Sequence, residues 1–60
     1  MIKVGDLVRI AEPFMGYQGQ VGIVTKIPMT ERGMWAILLT SGALIATRLM
    51  SRLEVIIESR

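Results

Sequence analysis

Six glycines and two prolines divide all but the last 18 of the 60 residues into short segments, and in that last stretch a helix over Ala43 to Ile57 would have apolar positions on every face and would include β-branched Val55-Ile56-Ile57. The segments between them are rich in Val, Ile, Leu and Thr and carry few helix caps, a pattern of short strands joined by turns. The expected fold is therefore all-β and single-domain, residues 1–60. Fixing so short a chain costs about 1 to 2 kcal/mol of backbone entropy per residue. It contains no Cys and no His, so neither a disulfide nor a thiolate or imidazole metal site is available to offset that cost. Stability must come from the apolar 52% of the residues, from self-association, or from both.

The first strand is expected at Asp6-Leu7-Val8-Arg9-Ile10, with Val8 and Ile10 on one face and Leu7 and Arg9 on the other. A loop from Ala11 to Gln18 leads to a second strand, about Gly19 to Ile27, ended by Pro28. After a turn at residues 29–33, Met34 to Thr40 reads as a third strand. Its nearly continuous apolar run, Trp35-Ala36-Ile37-Leu38-Leu39, suggests burial on both sides. Ser41-Gly42 predicts a two-residue hairpin of primed type into a fourth strand, Ala43 to Thr47. Met50-Ser51-Arg52 fits one turn of tight helix, Leu53 to Ile57 a fifth strand, and Glu58-Ser59-Arg60 a frayed end. Five short strands, a long first loop and a helical turn before the last strand describe an SH3-like barrel.

Gly5-Asp6-Leu7-Val8-Arg9-Ile10, followed by Pro13-Phe14, Gly16, Gly19 and Val21, resembles the KOW motif of ribosomal proteins and NusG-type elongation factors. In this reading Gly5 and Asp6 turn the chain into the first strand. Gly19 opens the second where a Cβ would crowd a crossing backbone, so Gly19→Ala should cost more than the ~0.5–1 kcal/mol of an ordinary glycine replacement. The resemblance implies that the first loop contacts RNA or a protein, which makes Phe14, Met15, Tyr17 and Gln18 the partner-binding candidates. For nucleic acid the candidates are Arg9, Tyr17, Lys26 and Arg32. The whole chain is also similar to short phage and bacterial SH3-like proteins of unassigned function. Gly5 to Arg9 and Tyr17 to Val21 further resemble stretches of type II dihydrofolate reductases, SH3-like enzymes that act as tetramers around a pore. The comparable segment here, Leu44-Ile45-Ala46-Thr47-Arg48, lacks the amide and phenol with which that family holds nicotinamide and folate, so no catalytic residue carries over.

Chemistry without histidine would need a perturbed Asp, Glu or Lys. Asp6, Glu12, Glu31, Glu54 and Glu58 show no paired spacing and read as surface or turn residues, and no serine has a base beside it. No catalytic residue, metal site or cofactor is expected. The net charge of +2 comes from seven scattered cations, so a basic patch exists only if folding assembles one. The longest uncharged stretch, Gly33 to Thr47, has 15 residues against the ~20 of a membrane-spanning helix. The first residues lack the apolar run of a signal peptide, and a cytoplasmic setting is expected. Trp35 is a core or interface residue, and Arg48 either points outward or pairs across an interface. A mean hydropathy of +0.53 leaves more aliphatic side chains than a small barrel can enclose. Some of Leu7, Leu38, Leu44, Leu49, Met50 and Ile57 must then face outward, and a homo-oligomer joined through the third and fourth strands is expected. The function so implied is a non-enzymatic interaction module, with nucleic-acid binding as the alternative.

Overall fold

The computed structural model describes residues 2–13 and 15–59. Five strands form: β1 (Leu7–Ile10), β2 (Val21–Lys26), β3 (Trp35–Leu39), β4 (Leu44–Thr47) and β5 (Leu53–Ile57). They build one antiparallel sheet in the order β4-β3-β2-β1-β5, with a 3₁₀ turn at Met50–Arg52 immediately before β5. The all-β architecture and the helical turn before the last strand are those expected from the sequence. Among the described residues no helix is long and apolar enough to cross a membrane.

Alternation puts one side chain in two onto the inner face, where Val8, Ile10, Val24, Ile37, Leu39, Ile45 and Leu53 are buried together with Ile2 from the N-terminal segment. Each large aliphatic side chain so enclosed contributes about 1.5–3 kcal/mol. Tyr17, Ile27, Trp35, Ala43 and Val55 pack around this cluster, half-buried. Buried Thr47 meets no unsatisfied polar cost, because its Oγ1 accepts the Leu49 N–H at 3.1 Å.

Three local expectations are corrected. First, β3 is not buried on both sides: Ile37 and Leu39 enter the core, whereas Leu38 between them is 46% exposed. A continuous apolar run here reflects one core face and one uncovered apolar face. Second, the β3–β4 hairpin has a three-residue loop, Thr40 to Gly42. Gly42 N–H donates to Leu39 O and Leu39 N–H to Ala43 O, with Gly42 at φ +95°. Neither Thr40 nor Ser41 has positive φ, so the turn ends in a glycine bulge rather than being of primed type. Third, β2 begins at Val21, two residues after Gly19, which closes the first loop by donating to Ile10 O at 2.9 Å.

That third correction moves the crowded glycine. A Cβ on Gly19 would meet nothing within 4 Å, and glycine is favoured there by φ +86°. The close approach is at Gly22, inside β2, where a Cβ would lie 2.5 Å from Leu38 O, 2.8 Å from Ile37 Cγ2 and 2.9 Å from Leu39 Cα. On the inner face Gly22 is paired with Leu39 on one side and Val8 on the other. The missing side chain lets β3 fold sharply over β2, the bend a small sheet needs to enclose its own core.

Gly22→Ala is therefore expected to destabilise by about 1–3 kcal/mol through overpacking against β3 backbone. Gly19→Ala should cost about 1 kcal/mol, from its dihedral alone. Urea denaturation of both variants checks this order, and an equal or larger loss at Gly19 would remove Gly22 as the bend.

Candidate functional site

Among the described residues the one fully buried acidic side chain is Asp6, expected from the sequence at the surface or in a turn. Its Oδ1 accepts the Ser59 N–H at 2.6 Å and its Oδ2 the Lys3 N–H at 2.8 Å, so one carboxylate holds both ends of the chain. The frayed end expected at residues 58–60 is thus tied down at Ser59. Lys3 Nζ adds a bond to Ser59 O at 2.7 Å, and Arg60 lies outside the described residues. Gly5, at φ +94°, makes the expected turn into β1, and its missing Cβ leaves room for the Ser59 side chain. The spacing of three between Lys3 and Asp6, which suits a side chain bonding back to a nearby N–H, was the available sequence signal.

The first loop is only partly assembled as a recognition surface. Met15 is 82% exposed and has a φ of 51°, uncommon for a residue with a side chain. Gln18 is exposed, Tyr17 is half-buried against the core, and Phe14 lies outside the described residues. Tyr17 thus packs against the core rather than standing clear of it. The loop is anchored at its base, where Ala11 N–H donates to Arg52 O and Gln20 N–H to Tyr17 O.

The basic candidates divide between two ends of the sheet. Arg9 is paired opposite Val21, and Lys26 lies five residues further along β2, roughly 17 Å away at ~3.3 Å per residue. Arg9 is moreover ion-paired with Glu54 on the neighbouring strand, both side chains exposed. Tyr17 follows Arg9 into the first loop, while exposed Arg32 lies beyond Lys26 in the β2–β3 turn. Folding leaves Arg9 and Tyr17 at one end and Lys26 and Arg32 at the other.

What folding does bring together is an apolar row that no single segment contains. In register across the whole sheet, Leu44 pairs with Leu38, Leu38 with Ile23, Ile23 with Leu7, and Leu7 with Ile57. All five lie on the outer face, with Leu44 69%, Ile57 62% and Ile23 40% exposed and Leu7 half-buried. A bulge in β5 adds Ile56 beside Ile57, also exposed. Leu49 and Met50, at the 3₁₀ turn, are exposed as well.

A second apolar feature is concave. Ile2, Ile27, Pro28, Trp35 and Met50 line an open cavity of about 320 Å³ at the end of the sheet where β2 finishes and β3 begins. Trp35 is therefore both a half-buried core neighbour and a cavity wall, and Arg48, next to the Thr47 that pairs with Trp35, is exposed. Among the described residues no group of three or more Asp or Glu is placed to hold a metal ion. No protein-family model, curated protein or solved structure matches the chain.

The Ser59 N–H, then the Lys3 N–H, hold the Asp6 carboxyl below the usual carboxylate range, against the opposing effect of burial. Since the folded state favours the ionised form, this stabilisation is complete above the unfolded value of about 3.9 and fades as pH falls through the lower folded value. Asp6→Asn should therefore melt below the parent at neutral pH, with a gap that narrows as both are acidified past the ordinary carboxylate value of about 3.9. A gap unchanged between neutral and acidic pH would contradict the role of the charge.

Proposed function

We propose that the protein is a non-enzymatic interaction module that associates with itself through the outer face of its sheet. The observation carrying this reading is the unbroken row Leu44, Leu38, Ile23, Leu7 and Ile57. Isolated exposed aliphatics are ordinary on a protein surface, but a contiguous set marks an interface. At ~4.8 Å between strands the row runs roughly 19 Å along the sheet. An ordinary interface covers ~800 Å² on each partner, about a fifth of the 4243 Å² exposed by this chain. Leu and Ile alone, with no polar handle, suit a dry apolar contact with a second copy. The Arg9–Glu54 pair on the same face carries both signs, so two copies meet without net repulsion there. The first loop, with exposed Met15 and Gln18, is where such an assembly would engage another protein.

The parent is expected to show a native mass above that of the monomer, and Leu38→Glu or Leu44→Glu to return it to the monomer with the fold intact by circular dichroism. Leu44 is the safer site, being the more exposed. A parent that stays monomeric at millimolar concentration would overturn self-association. Salt-sensitive binding of labelled RNA or DNA by that monomer would put nucleic-acid recognition in its place.

A further inference from the structure

The sheet has two open edges, and they are not alike. β5 is a poor template for a further strand: a bulge interrupts it where Val8 pairs with Val55 and Leu7 with Ile57, Glu54 puts a charge on it, and the Leu53 N–H already donates to Met50 O. Bulges and charges of this kind are the usual means of blunting an exposed edge. β4, at the other edge, has neither. Leu44-Ile45-Ala46-Thr47 carries no charge and no proline, and it pairs with β3 without a register shift.

The ladder decides which groups β4 leaves open. Leu39 N–H donates to Ala43 O at 2.8 Å, which makes Leu39 and Ala43 a hydrogen-bonded pair. Bonded and non-bonded pairs alternate along an antiparallel ladder, so Ile37 with Ile45 and Trp35 with Thr47 are bonded pairs as well. Leu44 and Ala46 fall between them, and their N–H and C=O groups point away from β3, off the edge. Among the described residues no hydrogen bond reaches these groups from any other part of the chain. Both side chains are exposed, on the outer face of the sheet.

We propose that β4 pairs with β4 of a second copy, antiparallel and centred on Ile45, so that two sheets join edge to edge. A twofold axis at Ile45 sets Leu44 opposite Ala46 of the second copy and Ala46 opposite its Leu44, and the N–H and C=O of both residues on both copies are bonded at once. An axis at Leu44 would instead set Ala46 opposite Gly42, which φ +95° takes out of the extended conformation. The Ile45 register also places a large side chain beside a small one on the outer face. Arg48, the charge nearest β4 in the chain, then stands opposite Gly42 of the second copy. The two arginines end roughly 20 Å apart at ~3.3 Å per residue, well beyond the ~8 Å screening length of physiological salt. A foreign strand could use the same groups, but β4 already matches itself in register, bulk and charge.

The occupant rests on the self-association reading, and so does the strength of the contact. Neutral hydrogen bonds exchanged for bonds to water give too small a net gain to offset the freedom lost on association. Edge pairing therefore needs the outer row. The twofold axis between paired strands is perpendicular to the sheet, so the rows of both copies emerge on the same side and present their combined apolar surface to a second pair. Two different twofold contacts, edge and row, close on an assembly of at least four copies.

The test is amide hydrogen exchange on the purified parent, read at Leu44, Ile45 and Ala46, together with native mass. In the parent oligomer the Leu44 and Ala46 amides should exchange at least about tenfold more slowly than in the Leu38→Glu monomer, while Ile45, bonded to β3 in both, serves as the reference. Ala46→Pro removes the edge N–H at a position where an edge strand accepts proline, and should take the mass from four copies to two with the fold intact by circular dichroism. Ala46→Ser, which keeps the N–H, should leave the parent's mass unchanged. Leu44 and Ala46 amides that exchange as fast in the oligomer as in the monomer overturn the edge contact and leave the row standing, whether or not the proline variant folds. Protection and a dimer's mass that survive Leu38→Glu keep the edge and remove the row. A parent that stays monomeric at millimolar concentration overturns both.

Discussion

One buried carboxylate closes this molecule. Asp6 accepts backbone N–H groups from Lys3 and Ser59, and so joins the segment before β1 to the segment after β5. β1 and β5 are already neighbours in the sheet, and Asp6 secures the point where their pairing would otherwise open. Ile2 is held over the core by the same arrangement, where it completes the apolar cluster and one wall of the cavity. In a chain without disulfide or metal, a charge-assisted pair of hydrogen bonds at the meeting of both termini takes over part of what a covalent staple does elsewhere.

The second constraint is curvature. Sixty residues can enclose a core only if the sheet turns sharply, and Gly22 allows this by leaving the space that β3 backbone occupies. Curling gives the sheet an inner face filled by Val8, Val24, Ile37 and Leu39 and an outer face on which Leu7, Ile23, Leu38 and Leu44 line up. The high apolar content follows from this geometry. Both faces are aliphatic, but only one is enclosed by the monomer. The outer row is the surface on which the proposed self-association rests, and the cavity beside Trp35 is a second, separate opening at the end of the same core.

Much of the scaffold was legible in the residues. Period-two alternation located β1, the proline and glycine breaks located the ends of the other strands to within about two residues, and the 3₁₀ turn at Met50–Arg52 and the fifth strand stood out directly. The candidate site was less so. Arg9, Tyr17, Lys26 and Arg32 were grouped by residue type, and antiparallel pairing then separated them, since sequence carries no measure of which end of a strand a residue occupies once the chain reverses. The crowded glycine was assigned to Gly19 rather than Gly22 because steric pressure from a neighbouring strand is not visible in one strand's own pattern. Glycine inside Val21-Gly22-Ile23-Val24 was nonetheless the signal to read.

The sequence by itself determined the class of structure: glycine and proline break the first 42 residues into short pieces, and the β-branched runs between and after them favour strands. It also determined that no cysteine or histidine chemistry is available. Only the tertiary structure decided which aliphatic residues become neighbours. A shift of one residue in any strand pair would send a side chain of the outer row to the opposite face. Register between strands, set by the bulges, the Gly22 bend and the Asp6 clamp, is a property of the folded sheet, and the apolar row exists only because of it.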